Sequence, residues 1–110
     1  IDLDDTFYYG GAHMFFGVYY GSRAPSIGGN FEKSKQHFDR AREITDGRLL
    51  IPDLLQAQYL ARQQFDKEQF QRLLNGIIEA PDDLMPELAL QNQIAKRKAA
   101  LLLKKEQEWF

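Results

Sequence analysis

A twelve-residue pattern occurs twice in this chain. Asn30-Phe31-Glu32-Lys33-Ser34, then Phe38 and Ala41, is matched 36 residues on by Asp66-Lys67-Glu68-Gln69-Phe70, then Leu74 and Ile77. In each copy a residue with a capping side chain precedes three inward positions spaced four and three apart. That spacing sets one face of an α-helix. A repeated helical unit of this length cannot bury its apolar face alone and stacks on a neighbour. The rest of the chain agrees with helices. Strict apolar–polar alternation never lasts, while the 3.6-residue period recurs. The fold class expected is all-α, with about five helices in antiparallel pairs.

Boundary signals divide the chain. Asp4, Asp5 and Thr6 can cap a first helix over about Thr6–Tyr20, and Gly21 offers a stop. Asn30 caps a second, Phe31–Thr45, which Asp46-Gly47 ends. Phe31, Ser34, Phe38, Ala41 and Ile44 share its inner face. A third runs from Leu50 to Gln64, with Pro52 in its first turn. Asp66 caps a fourth, to about Ala80, with Phe70, Leu73, Leu74, Ile77 and Ile78 inward. After the turn at Pro81-Asp82-Asp83, Pro86 starts a last helix toward Trp109. Leu88, Ala95, Ala99 and Leu102 mark its inner face, and its lysines and Arg97 lie mostly outside. One connection is unlike the others: the nine residues from Gly21 to Gly29 are rich in glycine, serine and proline.

The first helix pair also matches tetratricopeptide spacing, whose period is about 34 residues. His13, Phe16, Gly17 and Tyr20 take the positions of that repeat's first helix. Ser34, Phe38 and Ala41 take those of its second. Gly17, Ser34 and Ala41 let two backbones approach closely, and Phe16, Tyr20 and Phe38 fill the space around them. A usual repeat joins its helices by a few residues, so Gly21–Gly29 is an addition. Loops that long inside compact helical units are uncommon and often functional.

Several function classes are poorly served. The net charge of −2 lacks the clustered basic surface of a nucleic-acid binder. There is no cysteine, hence no disulfide, thiol chemistry or cysteine-held zinc within the chain. The two histidines fall on different helices, and no Gly-x-Ser-x-Gly turn or phosphate loop is present. No catalytic, cofactor or metal site is assigned. The apolar stretch Tyr8–Tyr20 is too short to span a bilayer and is broken by glycines.

The aromatics Phe7, Tyr8, Tyr9, Phe15, Phe16, Tyr19 and Tyr20 almost encircle the first helix. A helix apolar all round is buried or meets a partner. Core packing accounts for part of the set, and Tyr8, Phe15 and Tyr19 are candidates for an exposed contact patch. His13 either fills the repeat's aromatic slot with a ring nitrogen hydrogen-bonded or contacts a ligand. Arg23 either ties the loop down through carbonyls or a carboxylate, or reaches a ligand or partner. Asn92, with Gln91, lies on or near the inner face of the last helix. It either holds the Gly21–Gly29 loop or makes a contact of its own.

The stretch YYGGAHMFFGVYYGSRAPSIGGNFEKSKQHFDRAREITDGRLL closely resembles the T-component family of TRAP transporters, the TatT-like proteins. Gly10, Gly11, Ala12, Gly17, Tyr20, Gly21, Ser22, Arg23, Pro25, Gly28 and Gly29 carry the resemblance, followed by Phe38, Ala41, Gly47 and Arg48. Downstream, YLARQQFDKEQFQRLLNGIIEAPDD and PELALQNQIAKRKAALLL extend it through Pro86, Glu87, Leu90, Asn92, Ala95 and Leu102. Ala24 stands between Arg23 and Pro25, and Lys98 near where an arginine is usual. The resemblance implies a tetratricopeptide-like, non-catalytic periplasmic scaffold. It implies that residues 1–110 are one helical domain, the C-terminal half of a longer member anchored by lipid at an upstream cysteine. It also implies a periplasmic substrate-binding protein as partner, a homo-oligomer, and a groove passing a small apolar ligand. The alternative is an accessory structural subunit of another periplasmic or membrane complex, with the aromatic first helix as its contact.

Overall fold

A computed structural model describes residues 9–110, so the cap expected at Asp4, Asp5 and Thr6, together with Phe7 and Tyr8, lies outside the described residues. Those described form helices and no strand. Helix α1 is Gly11–Gly21, α2 is Phe31–Thr45, and α3 is Ile51–Leu55, which widens into a π-helical turn over Gln56–Ala61. Helix α4 is Lys67–Glu79, α5 is Ala89–Lys104 and α6 is Glu106–Trp109. Short 3₁₀ turns sit at Pro25–Ile27 and Pro86–Leu88.

The repeated caps are built alike. Asn30 Oδ1 accepts the Lys33 amide at 3.0 Å, and Asp66 Oδ1 accepts the Gln69 amide at 3.0 Å. Each satisfies a backbone N–H that a helix start leaves without a partner. The repeated inner positions are also alike: Ser34, Phe38, Ala41, Phe70, Leu74 and Ile77 are all fully buried. Helix α2 ends with Asp46 and Gly47 both at positive φ, and the Gly47 amide donates back to the Arg42 carbonyl at 2.9 Å.

Helices α1 and α2 run antiparallel. Gly10 lies against Ala41 and Ile44, Gly17 against Phe38, and Gly21 against Ser34. At Gly17 the contact is so close that a Cβ would stand 2.7 Å from the Phe38 ring. Ser34 Oγ donates to the Gly17 carbonyl at 2.6 Å, which locks the seam. Helices α4 and α5 are likewise antiparallel, since Lys96 reaches the end of α4 while Phe70 near its start meets Trp109 and Phe110. The main apolar core joins α3, the π turn, α4 and α5 through Leu54, Ala57, Phe70, Leu74, Ala95 and Ala99.

Four details of the elements depart from the sequence reading. Helix α1 begins at Gly11, after Tyr9 and Gly10 at positive φ, where helix was expected from about Thr6 onward. The last helix breaks at Lys105, so that Trp109 and Phe110 fold back onto Phe70. Ile78 is 40% exposed rather than inward, because α5 covers only one side of α4. Lys96 does not extend into water. Its ammonium donates to the Ala80 and Ile78 carbonyls and pairs with Asp82, closing the C-terminal end of α4.

Candidate functional site

The Gly21–Gly29 loop is wound tightly rather than extended. The Ser22 amide donates to the Val18 carbonyl, Ile27 and Gly29 amides both donate to the Ala24 carbonyl, and Asn30 donates to Tyr20. The loop therefore starts and ends on the last turn of α1. Gly29 is dictated by contact, since a Cβ there would lie 1.9 Å from the Arg23 carbonyl oxygen. Gly28 is dictated by conformation, with φ of 102°.

Arg23 emerges from this loop and folds back over α1. Its Nη1 donates to the Tyr19 carbonyl at 2.7 Å, and its guanidinium carbon sits 4.3 Å from the Tyr19 ring centroid. The bond satisfies a carbonyl that the helix end leaves open, and the cation stands at the negative end of the helix dipole. The same placement lays a flat cation on an aromatic face. Beside it, Phe15 and Tyr19 stack with ring centroids 6.4 Å apart. Phe15 is 63% exposed and Tyr19 42%. Phe15, Tyr19 and Arg23 thus form one exposed aromatic strip with a charged end.

His13 lies apart from that strip, buried on the α1–α2 seam. Its Nδ1 is 2.9 Å from His37 Nδ1. Tyr20 stacks on His37 at 5.9 Å, nearly parallel, and Phe16 lies 5.4 Å from the same ring. His37 is held below its ordinary value of 6.5, first by burial, then by the charges of His13 and Lys33. Residues 24 apart in sequence gave no signal for this pairing; only the antiparallel register of α1 and α2 brings them together.

Asn92 is elsewhere and does not hold the Gly21–Gly29 loop. It is buried on α5, where Oδ1 accepts the Leu50 amide at 2.8 Å and Nδ2 donates to the Arg48 carbonyl at 2.9 Å. It fastens the turn between α2 and α3. Gln91 beside it is exposed. A side-chain network not foreseen from the sequence runs across α2, the π turn and α4. Arg42 donates to Asp39, Asp53 and Gln56; Gln56 donates to Gln69 at 2.7 Å; Gln69 donates to Gln64 and Asp66.

Among the described residues, two grooves stand out on the surface. One of about 430 Å³ lies above the network and is polar, lined by Glu32, Lys35, Asp39, Gln56, Gln69 and Arg72 among others. The other, about 500 Å³, is flanked by Tyr59, Arg62, Phe65 and Trp109, with the Arg62 guanidinium 3.8 Å over the Trp109 ring. Among the described residues no three histidine or acidic side chains converge on a point that could hold a metal ion. No helix there is long and apolar enough to cross a membrane.

Compared with known proteins, residues 1–110 match the family model described as TRAP transporter T-component. No curated protein matches the chain.

Proposed function

The chain belongs to the TRAP transporter T-component family, and from that premise we propose that it works without chemistry, as a periplasmic, tetratricopeptide-like helical scaffold that docks the transporter's substrate-binding protein. The observation that carries this reading is the exposed strip of Phe15 and Tyr19, ended by Arg23. Tyrosine and arginine are enriched among the residues that dominate interface energy, and aromatic rings such as Phe15 bury a large apolar area on contact. The strip sits on a firm base: the loop carrying Arg23 is hydrogen-bonded at both ends to α1. A preorganised patch loses little ordering entropy on binding.

The test is binding of purified full-length protein to the substrate-binding protein of its own transporter. Phe15→Ser is expected to weaken it on the order of tenfold or more, the size of one lost aromatic anchor, with helical content unchanged. Equal affinity in the variant would remove the strip from the interface. Co-purification of subunits from an unrelated complex, without any substrate-binding protein, would favour the adaptor alternative.

A second reading has its own observation. Phe65 is 78% exposed and, with Tyr59 and Trp109, flanks an open groove of about 500 Å³. These three rings are where a small apolar ligand would lie, beside the polar Gln58, Gln63 and Glu108 that line the same groove. The gently purified protein is then expected to carry a small-molecule mass that is lost in Phe65→Ser, while binding through Phe15 is retained.

A further inference from the structure

Two imidazoles meeting at their Nδ1 atoms have a proton balance that can be counted. His13 and His37 are 2.9 Å apart at Nδ1 and their ring centroids 5.2 Å apart. The centroid distance exceeds the nitrogen distance by only about one ring radius at each end, so the nitrogens face head-on. That is the geometry of one N–H donating to one lone pair. With both rings neutral, one carries its proton on Nδ1 and the other on Nε2, and the bond forms. With one further proton on the pair, the charged ring donates from Nδ1 to the lone pair of the neutral one, and the bond becomes charge-assisted. With both rings charged, each Nδ1 carries a hydrogen, no lone pair remains, and two positive charges face each other at contact distance.

We propose that His13 and His37 form an acid-sensitive latch across the α1–α2 seam, closed while the pair holds at most one extra proton and opened by the second. Among the described residues, the groups beside His37 reinforce the second step. Lys33, one turn before His37 on α2, adds a like charge and lies 5.4 Å over the Tyr20 ring. From α1, Tyr20 and Phe16 cover His37 and limit its hydration. The third helix meets the seam through Leu60, at Gly21. Burial and neighbouring positive charge hold His37 below its ordinary value, in agreement with this arrangement. A ring whose folded value lies below its unfolded value of 6.5 leaves the unfolded state binding more protons as pH falls. Stability is therefore complete above 6.5 and is lost as pH drops through the folded-state value. The second proton meets a charge at contact distance that the first does not, which separates the two protonations. The latch stands independently of the docking reading, because it concerns how α1 is held, not what α1 meets.

The experiment is a nitrogen NMR titration of both imidazoles in the unaltered protein from about pH 8 to about pH 4.5, the range in which histidine charges. Two separated steps are expected, with Nδ1 of both rings protonated only in the second. Amides of α1 should lose protection in that step while those of α4 and α5 keep theirs. Two independent curves with the same ordinary midpoint would overturn the proposal. As a second readout, the melting temperature of the unaltered protein should fall by about 4 °C or more between neutral and mildly acidic pH, and His37→Gln should flatten that fall. A fall of the same size in the variant would also overturn it.

Discussion

Gly17 and Gly76 are both helical glycines, and they should respond oppositely to the same methyl group. A Cβ on Gly17 would stand 2.7 Å from two atoms of the Phe38 ring and 2.8 Å from a third, and that ring is itself wholly buried and cannot move aside. Gly17→Ala is expected to destabilise the fold by about 1–3 kcal/mol through overpacking. Gly76, on the exposed side of α4, has nothing within 4 Å of that position. Gly76→Ala is expected to stabilise by roughly 0.5–1 kcal/mol, the helix-interior difference between the two residues. Chemical denaturation of the two variants checks both signs at once. The contrast also shows what the sequence can carry at this scale. Gly17 is legible because it falls in a spaced pattern with Ser34, Phe38 and Ala41. Phe65 is not. It takes the left-handed position after the third helix, φ 54°, where the Asp66 amide closes on the Ala61 carbonyl. Glycine is the usual residue there, and a bulky side chain is strained. Nothing in the local spacing announces a phenylalanine kept in that conformation.

The elements themselves were largely readable, because their ends are chemical. Asn30 and Asp66 start helices, Asp46-Gly47 stops one, Pro52 and Pro86 sit in first turns, and each works through its own backbone neighbours. What joins one element to another was not readable, since those bonds span long separations. Asn92 bonds across 42 and 44 residues, and the Arg42–Gln56–Gln69 chain links three helices. The π turn has the same cause. Its wider winding puts Gln56, Ala57, Leu60 and Ala61 all inside, where Gln56 completes the network. Asn92 gives the cleaner test. Asn92→Ala strands the buried Leu50 amide and is expected to cost about 1–3 kcal/mol for that group, while the carbonyl of the exposed Arg48 can turn to water. Asn92→Leu, which restores apolar contact but neither bond, should not recover it. If the two variants are equally stable to the native chain in urea unfolding, the turn between α2 and α3 is held by packing alone.

At the scale of the whole molecule, the described residues form a slab, 40 × 38 Å across and 15 Å thick. The apolar core of this slab is not centred, and its stability is divided unevenly. The connected apolar core lies among α3, the π turn, α4 and α5, with Trp109 and Phe110 sealing one edge. The buried side of α1 consists of His13, Gly17 and Gly21, two of which have no side chain, and its large aromatics are half-buried or exposed. Helix α1 is held by the closeness of its backbone to α2, by the Ser34–Gly17 bond and by the histidine pair, rather than by apolar volume. Local opening free energy follows buried apolar contact, so the amides of α1 should exchange through an opening well below the global unfolding, and those of α4 and α5 only through global unfolding. Hydrogen exchange at neutral pH, read as separate denaturant slopes for the two groups, checks this. Parallel slopes that meet only at global unfolding would mean that α1 is as firmly built as the core. An easily opened α1 is consistent with its other features: it carries the exposed aromatic strip, and the histidine pair lies in the region where the least free energy opposes a change.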